Sequence, residues 1–114
     1  MGQTLGALAT ARGHRIAGIV DPNQANGPVI TDFTVATADV AIEFTRPDAA
    51  FANVTACLRQ GIPVVCGSTG WLAQWNEALA LNNELSGSLF YASNYSVGVN
   101  LFFHFNEYIA ARMY

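Results

Sequence analysis

Two hydroxyl residues stand between glycines in Gly67-Ser68-Thr69-Gly70, directly after an apolar run centred on Val64 and Val65. A helical pattern opens behind them at Trp71 and Leu72. The order predicts strand, tight turn, helix. In open α/β sheets ligands bind beyond the carboxyl ends of the strands, where such turns lie. Gly67 and Gly70 permit positive φ and close backbone approach. Ser68 and Thr69 can each donate or accept a hydrogen bond.

Two more polar stretches follow predicted strands: Glu43-Phe44-Thr45-Arg46-Pro47 and Ser93-Asn94-Tyr95-Ser96. Right-handed crossovers would bring all three, with Asp21, to one edge of a sheet. Backbone amides, hydroxyls and a carboxamide there suit the amide and ribose groups of a flat, mostly uncharged ligand. Phe44 and Tyr95 would cover ring faces. A nicotinamide ribose fits that description. Each loop also has a plainer reading: Gly67–Gly70 as an ordinary tight turn, Asp21-Pro22-Asn23 as turn chemistry. No Lys follows Gly70, so the turn is not a P-loop. It also lacks the G-x-S-x-G spacing of a hydrolase elbow. Glu43, in an otherwise apolar strand, would bond a loop backbone or face solvent at the strand end. No partner residue supports it as a general acid.

The elements that must position these loops are legible as patterns. Met1–Arg12 reads as a helix carrying Leu5, Leu8 and Ala9, closed by Gly13, with His14 at the negative end of its dipole. Arg15–Val20 reads as a strand ending at Asp21. Asp21 lies about 20 residues past Gly2, the spacing of the acid that binds an adenosine ribose. Gln24–Thr31 reads as loop with a short edge strand at Val29-Ile30, and Phe33–Ala38 as a single helical turn. Asp39–Thr45 reads as a strand. A helix begins at Pro47 and Asp48, and its stripe is Ala50, Phe51, Val54, Cys57 and Leu58. After the glycine turn, Leu72, Trp75 and Leu79 should line one helix face. Leu89–Ala92 reads as a further strand. Asn100 would cap a last helix that turns Leu101, Phe102, Phe105, Ile109 and Met113 inward, with His104 and Glu107 on its polar face.

Alternating strand and helix predict an α/β fold, a parallel sheet with helices on both faces. The 114 residues suffice for one domain, and 52% are hydrophobic against 11% charged, so most of the chain should be core. A net charge of -3 and five scattered basic residues argue against nucleic acid. Cys57 and Cys66 lack a second Cys or His at metal-ligand spacing and read as reduced core thiols of a cytoplasmic protein. The chain shows no basic-then-apolar leader and no apolar run long enough for a membrane span.

At its three loops the sequence resembles the dihydrodipicolinate reductase (4-hydroxy-tetrahydrodipicolinate reductase) family of the lysine and diaminopimelate pathway. The resemblance rests on Val40-Ala41-Ile42-Glu43-Phe44-Thr45-Arg46-Pro47, Gly67-Ser68-Thr69-Gly70-Trp71 and Ala92-Ser93-Asn94-Tyr95-Ser96-Val97-Gly98-Val99-Asn100. The family shows (D/E)-F-T-x-P, G-T-T-G and A-x-N-(F/Y)-S-(V/I)-G-V-N. Trp71 after the turn resembles the form found in Bacteroidetes-type bacteria.

The resemblance implies a Rossmann-like doubly wound parallel sheet, incomplete because its first, central strand is missing. It implies residues 1–99 as a partial dinucleotide-binding domain and 100–114 as a helix leading to a further substrate and oligomerisation domain. Gly2 would be the last glycine of the dinucleotide fingerprint and Asp21 the adenosine-ribose acid. Phe44, Thr45, Gly67, Ser68, Thr69, Ala92, Ser93, Asn94 and Tyr95 would line the nicotinamide half, and Thr69 would also reach a small dicarboxylate substrate. Ser68 keeps the hydroxyl of the family's first Thr and loses a methyl.

The family's H-H-x-x-K and S-G-T motifs do not occur in these residues, so no catalytic proton donor is expected in this chain, and a homotetramer only of a longer protein; the lack of a second Cys or His at ligand spacing leaves no metal site expected. The cofactor would be NADH or NADPH. No Arg directly follows Asp21 to hold a 2′-phosphate, which favours NADH. Without its central strand the sheet is expected to be marginal, or to pair the Ile16 and Val40 segments directly. Two other functions fit less of the pattern: another two-domain NAD(P)-dependent dehydrogenase, or a non-catalytic nucleotide-binding module.

Overall fold

Three of the apolar runs form short parallel strands in the computed structural model, which describes residues 1–113; Tyr114, at the end of the expected last helix, lies outside them. The strands are β1 (Ala41–Glu43), β2 (Val64–Cys66) and β3 (Leu89–Tyr91), in the order β1-β2-β3. Ala41, Val64 and Leu89 stand in register at one end, and Glu43, Cys66 and Tyr91 at the other. Four α-helices accompany them among the described residues: α1 (Gly2–Ala11), α2 (Pro47–Arg59), α3 (Trp75–Glu84) and α4 (Val97–Met113). Parallel strands need crossovers, and α2 and α3 supply them.

Helix α2 is the best specified. Pro47 opens it, Asp48 lies in its first turn and Arg59 in its last, which complements both ends of the dipole. Gly61, at φ +73°, turns the chain back toward β2. Ala50, Val54, Cys57 and Leu58 form its buried face and pack with Val64, Cys66, Trp71 and Ala78. This is the core. Strand alternation puts Ile42, Val65 and Phe90 on the opposite face, where Ile42 is 53% and Phe90 60% exposed. Helices on both faces were expected; the two that pack on the sheet lie on one.

Of the face predicted for α3, Trp75 packs against the core and the two leucines do not. Trp71 and Ala78 are buried, whereas Leu72 and Leu79 are exposed. A 3-10 turn at Leu72–Gln74 precedes the helix. Its three-residue period shifts the phase of everything after it.

Residues 15–20 do not form the expected strand, and Ile16, Ile19 and Val20 are exposed. Backbone in a strand requires a paired neighbour. In the doubly wound order another strand separates this segment from β1, and no described residue fills that place. Direct pairing with β1 does not occur either. The edge strand expected at Val29-Ile30 is instead a 3-10 turn, Ile30–Asp32, in which the Asp32 carboxylate accepts the Val29 N–H at 2.8 Å.

Helix α1 ends as predicted at Gly13, φ +83°. The His14 N–H donates to the Ala9 carbonyl and the Gly13 N–H to the Thr10 carbonyl, a Schellman closure. Neither α1 nor α4 buries a residue. On α4 the residues expected to face inward, including Leu101, Phe102, Phe105 and Ile109, are exposed. The radius of gyration is 16.3 Å, against about 13 Å for a close-packed domain near this length. No helix of the described residues is long and apolar enough to cross a membrane.

Stability should therefore reside in α2, α3 and β2. Leu58→Ala should cost about 2–5 kcal/mol and Leu8→Ala, on exposed α1, no more than about 0.5 kcal/mol, both read from urea unfolding midpoints.

Candidate functional site

Because the strands are parallel, the loops after β1, β2 and β3 leave from the same edge. The first two are stitched together. The Thr45 N–H donates to Ser68 Oγ at 2.6 Å, and the Gly67 N–H to the Glu43 carbonyl at 2.9 Å. Ser68 is buried, and its carbonyl accepts the Trp71 indole N–H at 2.8 Å. The Trp ring is buried beside Trp75 and Tyr91, with centroids 5.9 Å from each. An aromatic cluster thus anchors the glycine turn from behind, while Thr69 stays exposed at its tip.

The third loop joins through Tyr95. Its hydroxyl donates to the Cys66 carbonyl at 2.8 Å. Its ring lies 6.0 Å from both Phe44 and Phe90. Phe44 rests on Gly67 so closely that a Cβ there would lie 2.1 Å from the ring. Phe44, Gly67 and Tyr95 therefore form one wall. Beside it, an open cleft of about 450 Å³ runs between the β3 loop and α4, lined by Phe90, Ala92, Asn94, Tyr95 and Asn100 among others.

Asn100 does not cap α4 as expected. The helix begins at Val97, and Ser96 Oγ accepts the Val99 N–H at 3.3 Å. The Asn100 amide donates to the Asn94 and Ser96 carbonyls at 2.9 and 2.8 Å, and Asn94 Oδ1 accepts the Ser96 N–H at 2.8 Å. A serine hydroxyl reaches a first-turn N–H as well as an asparagine does, and it stands nearer the helix start.

Beneath the wall lies Glu43, 6% exposed. Its carboxylate accepts hydrogen bonds from the Thr45 hydroxyl, from Asn53 Nδ2 of α2 at 3.4 Å and from the Cys66 thiol at 3.1 Å. Burial, then the bond to Glu43, push the Cys66 thiol up to about 12, so it stays a donor at neutral pH. Burial and then the charge of Glu43 also raise Cys57. Burial raises Tyr95. Both cysteines are free. Sequence reading missed Glu43, Asn53 and Cys66 as a unit; a carboxylate inside an apolar strand was the available signal.

Of the residues predicted for the site, Phe44, Thr45, Gly67, Ser68 and Tyr95 touch one another, and Ala92 and Asn94 line the adjoining cleft. The Ala92 N–H donates to the Cys66 carbonyl at 3.3 Å. Thr69 and Ser93 are exposed on the same edge. Gly2 and Asp21 are not brought in. Gly2 is exposed at the start of α1. Asp21 closes an Asx turn, its carboxylate accepting the Asn23 N–H at 2.9 Å.

The family model described as dihydrodipicolinate reductase, N-terminus, matches residues 1–95. A 4-hydroxy-tetrahydrodipicolinate reductase of Christiangramia forsetii is 41% identical over 113 residues, 99% of this chain and 46% of the relative. A protein of the same name from Pseudoalteromonas atlantica is 40% identical over 101 residues, 89% of this chain and 34% of the relative. One from Thiobacillus denitrificans is 40% identical over 89 residues, 75% and 33% respectively. The chain thus spans a half to a third of the length of these curated relatives. No solved structure matches it.

Two outcomes follow from this geometry. Gly67→Ala must displace the Phe44 ring, so a double-mutant cycle of Gly67→Ala with Phe44→Leu should show about 0.5–3 kcal/mol of coupling in urea unfolding. The raised thiols set a pH dependence. Above about pH 9, the ordinary thiol value, the unfolded chain loses thiol protons that the folded chain keeps. Stability should hold below that pH and fall as pH rises from 9 toward 12, measured as melting temperature against pH.

Proposed function

The chain belongs to the dihydrodipicolinate reductase N-terminal family, and on that premise we propose that its strand-end wall is the nicotinamide side of an NAD(P)H site. The protein it serves would reduce 4-hydroxy-tetrahydrodipicolinate to tetrahydrodipicolinate, in diaminopimelate and lysine biosynthesis. The observation that carries the reading is the meeting of three loops on one edge, bound through the Thr45 N–H to Ser68 and the Phe44–Tyr95 contact.

The donor set fits the cofactor. Gly67 leaves the backbone bare where a Cβ has no room. Thr45, Thr69 and Asn94 present uncharged polar groups at the exposed edge, and Phe44 and Tyr95 present ring faces. These suit a carboxamide and a ribose. A bound dinucleotide would supply the hydride. The chain's own residues would bind it and orient its ring against the wall, and Thr69 would reach toward a small dicarboxylate. No catalytic proton donor is assigned to this chain. Gly2 and Asp21 are proposed for the adenosine half on the family resemblance, and NADH is favoured over NADPH because no Arg directly follows Asp21. The soluble cytoplasm is the compartment proposed, and a homotetramer is proposed only for a longer protein.

Fluorescence titration of the 114-residue chain tests this. NADH should bind, more tightly than NADPH, and Thr69→Ala should weaken it about 3- to 10-fold, as loss of one hydrogen bond does. A folded chain that takes up neither dinucleotide at millimolar concentration would refute the reading.

A further inference from the structure

Glu43 and Ser68 are the buried polar side chains among the described residues, and the cofactor reading uses only Ser68. A buried carboxylate is costly unless donors surround it. Glu43 has three, from its own loop, from α2 and from β2: the Thr45 hydroxyl, Asn53 and Cys66. The bond with Thr45 has a direction. A carboxylate only accepts, so the threonine proton points at Glu43. One of the two lone pairs on Thr45 Oγ1 faces Asn53 Nδ2, at 3.3 Å. What Thr45 can still offer outward is a lone pair, because its one donor is spent.

Resting on the cofactor reading above, we propose that Glu43 is a positioning residue that makes Thr45 an obligate acceptor, selecting ligands that bring a donor. A carboxamide NH2 is such a donor; a ketone in the same place is not. The acid thereby acts on the nicotinamide through Thr45 without touching it. It also holds the β1 loop against the glycine turn, since the Thr45 N–H is bound to Ser68 and the Glu43 carbonyl to the Gly67 N–H. Thr45 therefore has a set orientation as well as a set polarity. The thiol of Cys66 completes the acceptor's surroundings without competing for Thr45, because it bonds the other carboxylate oxygen.

The test compares NADH with reduced 3-acetylpyridine adenine dinucleotide, which replaces the carboxamide NH2 with a methyl. Wild-type chain should prefer NADH by about tenfold, the worth of one well-placed hydrogen bond. Glu43→Leu frees the Thr45 hydroxyl to donate, and the preference should fall to about twofold or less. Glu43→Asp, which keeps the carboxylate, should retain it. Should Glu43→Leu not fold, as judged by circular dichroism, Thr45→Val removes the acceptor, leaves the buried acid its donors Asn53 and Cys66, and should abolish the preference in the same way. A general loss of stability would weaken both dinucleotides alike and leave their ratio unchanged. A wild-type preference that survives in Thr45→Val, or in folded Glu43→Leu, overturns this proposal alone. A folded wild-type chain that binds neither dinucleotide overturns the cofactor reading and the proposal together.

Discussion

Everything at the loop edge depends on parallel pairing of β2 with a strand on each side. The pairing sets Glu43, Cys66 and Tyr91 in one row, so the next few residues of each strand must emerge side by side. An antiparallel neighbour would send its loop to the far edge. Parallel pairing also demands crossovers, and these are the helices that bury Val64 and Cys66. The core and the candidate site are thus two consequences of one arrangement.

The row is also where polar groups enter the core. Glu43 and Ser68 are buried at the carboxyl ends of their strands, where the sheet gives way to loops. Each has its partners: Glu43 three side-chain donors, Ser68 the Thr45 N–H. Half-satisfied networks at such positions are worse than apolar packing. A satisfied one holds loops that carry few apolar contacts of their own. Phe44 and Tyr95 add a hydrophobic seal, and Tyr95 reaches through it to the Cys66 carbonyl.

The first and last helices belong to a different regime. α1 has good helix formers and a complete C-terminal closure, yet buries nothing. α4 is apolar on most sides and exposed on most sides. Apolar periodicity says that a face wants covering and does not say what will cover it. That is why the inward face expected on α4 was wrong while the helix itself was right, and why Arg15–Val20 has strand composition without being a strand.

Sequence alone determined what local chemistry controls. Pro47 and Asp48 start α2 and Gly61 ends it; Gly13 closes α1; β1 and β3 lie within the expected strands Asp39–Thr45 and Leu89–Ala92, and β2 holds Val64 and Val65. The three polar loops and their family resemblance were legible for the same reason, since motifs are contiguous. Tertiary structure alone decided which of those loops touch, because contact between residues 23 to 51 positions apart depends on pairing and crossover. It decided that Glu43 gathers Asn53 and Cys66 beside Thr45, and that Trp71 and Ala78 are buried where Leu72 and Leu79 are not. Each of these turns on a neighbour or a helical phase set outside the residue's own segment, and a side chain's burial follows from that neighbour rather than from its type.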